Sequence, residues 1–277
     1  MPRLSRPSFP RRQVGRTLRR LRERTGMTQE AAGEPIRISG SKLSRIEQGH
    51  IPGYNDFLAL LDRYGVLTSD YDHYVRLYDL AKQARWWPSN PRRNFGYVDA
   101  EDSASLTSGY QTGLVPGILQ TKSYARGVFE FSGAQWSSSE VEQLVSVRER
   151  RQRRLFEQPT LAVHFVVDES TLIRRLCDRA QLEQLVELSA LPNVTVQVAE
   201  LSAPPHGGFY ASFVVLDYPD PEEFGLVYVE FPFGSDFIEN VNEVREAKRQ
   251  FKMISKFALD ENDSVELIKR LIVEKGR

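Results

Sequence analysis

The segment Ser39-Gly40-Ser41-Lys42-Leu43-Ser44-Arg45-Ile46-Glu47-Gln48-Gly49 gathers side chains suited to recognition chemistry. Arginine can fork onto the O6 and N7 of guanine, and Lys and Ser can bond base edges or phosphates. Gly and Ser let a backbone come close to the bases. Ser39 is a good N-cap and Gly49 closes the helix at its C-terminal end. At about 100° per residue, Leu43 and Ile46 fall on one side, Gly40, Ser41, Ser44 and Arg45 on the other, and Lys42 on a flank. A short capped helix with a small polar face around one Arg fits a major groove.

Other reactive side chains are less well arranged. Asp168-Glu169 is a carboxylate pair, but neighbours along a strand point to opposite faces and make poor acid–base partners. At a strand-to-helix boundary, Asp168 reads as an N-cap. His206-Gly207-Gly208, beside Pro204-Pro205, is a flexible loop with one titratable group, read as exposed. The scattered His50, His73, His164 and His206 and the lone Cys177 exclude zinc by Cys/His spacing. No phosphate loop, dinucleotide fingerprint or nucleophile elbow appears. The expectation is a non-enzyme with no cofactor and no metal. The run Arg148 to Arg154 is a second phosphate patch or the solvated face of a long helix; Leu144, Val147 and Leu155, turned inward, favour the face.

The elements around the polar helix follow a definite order. Val14, Leu18 and Leu21 recur at i, i+4, i+7 in a helix that Gly26 stops. A short helix runs from Thr28 to about Glu34, with Glu30 in its first turn. The turn Pro35-Ile36-Arg37-Ile38 leads into the polar-faced helix. That order is helix-turn-helix. Two more helices complete a five-helix head: one places Phe57, Leu60, Leu61 and Tyr64 at core spacing, the other Tyr71, Tyr74, Val75, Tyr78 and Ala81.

Leu18-Arg19-Arg20-Leu21-Arg22, Thr28-Gln29-Glu30 and the 39–49 segment together resemble the XRE-type (lambda-repressor-like) helix-turn-helix family. The resemblance implies that Gln29 anchors a phosphate, and that Gly40, Ser41 and Arg45 face base edges. Lys42 and Ser44 would serve backbone or base, and Ser39, which opens the helix, is expected among the DNA-binding residues with them. Arg22 and Glu47 match a pair that bridges the first and third helices. Two departures stand out. Pro35 ends the second helix early, and Arg37 stands where the family's turn has Gly, so it must avoid a left-handed conformation or bear its cost.

Charge is divided in the same way. Residues 1–49 hold 12 Arg/Lys against 4 acids, net +8, leaving 25 against 33, net −8, for residues 50–277. A cationic head on an anionic body suits a nucleic-acid binder whose other part does something else. A single Cys rules out a disulfide framework, and the basic, Pro-rich start is no signal peptide, so a reducing cytoplasm is expected. No stretch approaches the roughly 20 apolar residues of a membrane span. The expected divisions are a disordered basic arm (1–13), the helix-turn-helix domain (14–85), a junction (86–105) around Trp86 to Asn94, and a sensor and dimerisation body (106–277).

The body alternates. Helices are expected over Tyr124–Phe131, Ser139–Phe156, Ala180–Ala190, Glu243–Phe257 and Ser264–Val273. Strands are expected over Leu161–Val167, Val194–Val198, Phe209–Leu216 and Leu226–Phe231. Strand, helix (Ala180–Ala190), strand is a βαβ candidate, so the fold class is α+β, a helical head before an α/β body with a small mixed sheet and C-terminal helices. Tyr110-Gln111, Leu114 to Thr121, Tyr124-Ala125-Arg126, Arg148-x-x-Arg151-Gln152, Val167-Asp168-Glu169, Leu191 to Val194, Val227 to Glu230 and Ala258-Leu259 resemble an actinobacterial family of antitoxin-like regulators. It joins an XRE head to a large uncharacterised C-terminal domain, often with a small partner protein encoded nearby. Two functions follow as expectations. One is a homodimeric transcription regulator reading a palindromic operator in double-stranded DNA, with a protein or small-molecule signal received by the body. The other is a partner-neutralising module whose DNA binding is secondary autoregulation.

Overall fold

The computed structural model describes residues 7–83, 96–204, 211–220, 223–231 and 234–275, and divides into two units at Ser103/Ala104. Residues 1–6 of the expected arm, the Trp86–Asn94 junction and His206 lie outside the described residues.

The first unit is helical. It comprises α1 (Phe9–Arg24), α2 (Gln29–Gly33), α3 (Gly40–Glu47), α4 (Tyr54–Arg63), α5 (Tyr71–Lys82) and α6 (Gly96–Asp102). The apolar positions singled out by spacing form one core: Val14, Leu18, Leu21, Leu43, Ile46, Phe57, Leu60, Leu61, Tyr64, Tyr78 and Ala81 are all buried. Two boundaries differ from expectation. Helix α1 begins at Phe9, and Phe9, Pro10 and Gln13 are buried, so residues 9–13 are no loose arm. Its first turn carries Pro, whose missing N–H costs nothing there. The Phe9 amide donates to Asp99 Oδ2 at 2.6 Å, so a carboxylate 90 positions away does the work of a cap. The second difference follows: α6 belongs to the head rather than to a junction.

The body is an α/β unit around a six-stranded mixed sheet ordered β3-β2-β1-β4-β5-β6. Its elements are β1 (Leu106–Gln111), α7 (Lys122–Glu130), α8 (Ser138–Gln152), β2 (Ala162–Asp168), α9 (Glu169–Ile173), α10 (Arg179–Ser189) and β3 (Val194–Ala199). Then follow β4 (Phe213–Asp217), β5 (Leu226–Phe231), β6 (Gly234–Ile238), α11 (Val241–Phe257) and α12 (Glu261–Lys275). Strands β1, β2 and β3 are parallel, and β4, β5 and β6 join antiparallel. The expected βαβ unit is present, with Val163 opposite Val194 and Phe165 opposite Val196.

Two strands escape a reading by hydropathy. Strand β1, Leu-Thr-Ser-Gly-Tyr-Gln, is central yet polar, and Thr107 and Ser108 are buried. Gly109 is required because a methyl there would overlap the Phe213 carbonyl of β4. Strand β6, Gly-Ser-Asp-Phe-Ile, is a short edge with no apolar run. The C-terminal helices are bolted to β3 by buried polar bonds. Gln197 Nε2 donates to the Leu259 carbonyl at 2.8 Å, Val198 N–H to Ser264 Oγ at 2.9 Å and Leu259 N–H to the Val198 carbonyl at 2.9 Å.

Candidate nucleic-acid interface

Helix α3 is capped as its sequence dictates. The Lys42 amide donates to Ser39 Oγ at 3.2 Å, and Gly49, at φ 102°, ends the helix. Leu43 and Ile46 are buried, while Ser41 and Arg45 are exposed and Gly40, Lys42 and Ser44 half-buried. The Arg45 guanidinium makes no hydrogen bond or ion pair among the described residues and is available to a ligand. Ser41 Oγ lies 3.2 Å from Ser39 Oγ, and Ser44 Oγ accepts from Gln48 Nε2 at 3.2 Å.

Lys42 and Gln29 are already engaged. Lys42 Nζ donates to Asp56 Oδ2 on α4 at 2.7 Å, so a phosphate must compete with that carboxylate. Gln29 Nε2 donates to Glu47 Oε2 at 2.8 Å, which turns its amide towards the protein. The side chain expected to anchor a phosphate is therefore part of the internal clamp, because a buried carboxylate demands donors more strongly than solvent does.

The clamp itself forms as the resemblance implies. Arg22 Nε and Nη2 fork onto Glu47 Oε1 and Oε2 at 2.6 and 3.0 Å, and Arg22 Nη1 donates to the Met27 carbonyl at 2.7 Å. The two side chains are 11% and 4% exposed. The hydrogen bond to Glu47 holds the guanidinium above its ordinary pKa despite its burial. Nearby, burial pushes the Tyr64 phenol up to about 12, leaving it neutral beside the pair.

Three further contributions to this site carry little periodic signal. Gly15 lets α1 cross α3 closely: a methyl would stand 2.6 Å from the Glu47 carbonyl oxygen and 2.8 Å from that of Ile46. Asp56 holds Lys42. Arg37 does bear the left-handed conformation, at φ 58° and ψ 33°, a strain of about 1–2 kcal/mol for an L-residue. Pro35 ends α2 at Gly33, and residues Glu34–Ile36 continue as a 3-10 turn.

In the body, Asp168 and Glu169 make structural hydrogen bonds. Asp168 caps α9 through the Ser170 amide at 3.0 Å and accepts the Tyr110 hydroxyl at 2.8 Å; Glu169 Oε2 accepts the Leu201 amide at 2.8 Å. Burial, then the Asp168 bond, raises the Tyr110 phenol above its usual range. Burial pushes the Cys177 thiol up to about 12, so it is not a reactive thiolate. In the arginine run, Leu144, Val147 and Leu155 point inward as expected, but Arg151 is itself buried and α8 ends at Gln152. Among the described residues no cluster of His, Cys, Asp or Glu could hold a metal, and no helix is long and apolar enough to cross a membrane.

Comparison with known proteins fits this division. No curated protein and no solved structure matches the chain. Residues 13–73 match the family described as a helix-turn-helix domain, a DNA-binding element spanning the clamp and α3. Residues 96–270 match a domain of unknown function, DUF5753. That match covers more than half of the 277 residues, so the chain belongs to the DUF5753 family and carries a helix-turn-helix domain ahead of it.

Proposed function

We propose that this protein is a sequence-specific transcription regulator of the cytoplasm whose body is not an enzyme but dimerises and receives a signal. One observation carries the reading: a capped helix presents Ser41, Ser44 and an unpaired Arg45 outward while a buried ion pair fixes it to α1. Rigid presentation of a few donors is what base readout needs. A single head covers one half-site, so palindromic reading calls for two copies, and the body supplies the second. The signal is a small molecule or a small partner protein. Either acts by changing the geometry of the paired heads rather than by chemistry.

Selection of bound duplexes from a random library by the full-length protein tests this. The expected product is an inverted repeat with half-site centres about 10 base pairs, or a multiple of that, apart. On it, Arg45→Ala should cost about 1–3 kcal/mol at one base position and relax specificity there. A library that enriches for no sequence refutes the regulator reading. Equal losses on selected and random DNA for Arg45→Ala remove that residue from readout.

A further inference from the structure

Beside the readout helix lies a backbone conformation that its residue type opposes. Arg37 is the only non-glycine residue with positive φ among the described residues. Its Cβ crowds the following carbonyl, a clash that glycine lacks. The turn is held by main-chain bonds, Arg37 N–H to the Glu34 carbonyl at 3.1 Å and Ile38 N–H to the Gly33 carbonyl at 2.9 Å. Glycine would make the same bonds with no strain, so the fold has no use for arginine here. The side chain is exposed and makes no hydrogen bond or ion pair among the described residues. It is not there to neutralise Glu30 or Glu34, although both border the same shallow depression, with Ile38, Ser39 and Gly40.

That depression runs onto the first residues of α3, so Arg37 stands at the margin of the surface that meets DNA. Two carboxylates at that margin would repel a phosphate, and a cation beside them offsets part of that repulsion and offers the phosphate a direct partner. A strained, unpaired cation that serves neither packing nor pairing is the kind of outlier from which a binding role follows. We propose that Arg37 binds a DNA backbone phosphate flanking the bases met by α3. Gln29, whose amide is held by Glu47, leaves that task open. This rests on the DNA-binding reading and adds a contact that the helix-turn-helix pattern, with Gly at this place, does not contain.

The test uses the full-length protein and a random-sequence duplex of about two helical turns, because a phosphate contact carries no sequence information. Affinity is measured by fluorescence anisotropy over a salt series, and melting of the same samples is followed in parallel. Arg37→Gly removes both charge and strain: melting should rise by about 2–4 °C. Binding should weaken about fivefold to tenfold near 0.1 M salt, with the slope of log affinity against log salt smaller by about 0.9. Arg37→Lys keeps charge and strain and should match the wild type in both readouts. Arg37→Ala should lose affinity without the gain in melting temperature. Wild-type affinity and slope in Arg37→Gly overturn the proposal, as does a fall in melting temperature, which would make Arg37 structural. If the wild-type protein binds no duplex at all, the DNA-binding reading itself fails and takes the proposal with it.

Discussion

Glu47 shows how one buried carboxylate organises the head. Its two oxygens receive Arg22 Nε, Arg22 Nη2 and Gln29 Nε2, so the charge is neutralised and its hydrogen bonding met within the protein. Removing one partner strands the other, at a cost of roughly 3–5 kcal/mol. Arg22→Ala should therefore lower the melting temperature of the head severely. Arg19 offers the contrast: its i,i+4 pair with Glu23 is solvent-exposed on both sides, and Arg19→Ala should cost at most about 0.5 kcal/mol. Calorimetry of the two variants decides the point, and equal melting would show that Arg22 has no special role. The clamp also explains Gln29: the side chain that looked like a phosphate anchor completes Glu47's hydrogen bonding.

At the scale of elements, α1 and α3 meet where both backbones can come close, and Gly15 makes that meeting possible. A side chain there would press on the Glu47 and Ile46 carbonyls, which belong to a helix and cannot yield alone. Gly15→Ala should then destabilise the head by about 1–3 kcal/mol, and should weaken DNA binding more than stability alone predicts, because α3 is pushed from its angle. Unfolding and DNA titration of this one variant check both effects; unchanged melting would show that the helices separate freely. The amino end of α1 is an equally tertiary affair. Asp99 on α6 takes up the Phe9 amide, so the head extends to residue 103 rather than ending near 85.

For the whole molecule, the basic excess lies in residues 1–49 and the chain divides into two units, so the proposed function assigns DNA contact to the first unit and pairing to the second. If the body pairs the heads, the full-length protein should scatter light as a dimer. Residues 1–103 should be monomeric and bind DNA with little sequence preference, because the second half-site contact is lost. Sizing and gel-shift titration of both proteins test this. A dimeric head with full operator affinity would move the pairing surface into the helical unit.

The sequence by itself determined the head almost element by element, because its signals are local. A 3.6-residue period names Leu18, Leu43, Ile46 and Leu60 as core, and Ser39 and Gly49 mark the ends of α3 without reference to anything distant. In the body it determined the parallel strands β2 and β3, whose burial leaves runs rich in Val, and the apolar strand β5, buried at Leu226 and Val227. Only the tertiary structure decided what depends on a partner far along the chain. Strand β1 is central although Thr107, Ser108 and Gly109 look like a loop, because β2 and β4 satisfy its backbone from both sides. Lys42 looks like a free cation until α4 brings Asp56 to it, and Gln29 looks like a phosphate ligand until α3 brings Glu47. Periodicity reports which face of an element is buried; it carries no information about which polar group waits on the element it meets.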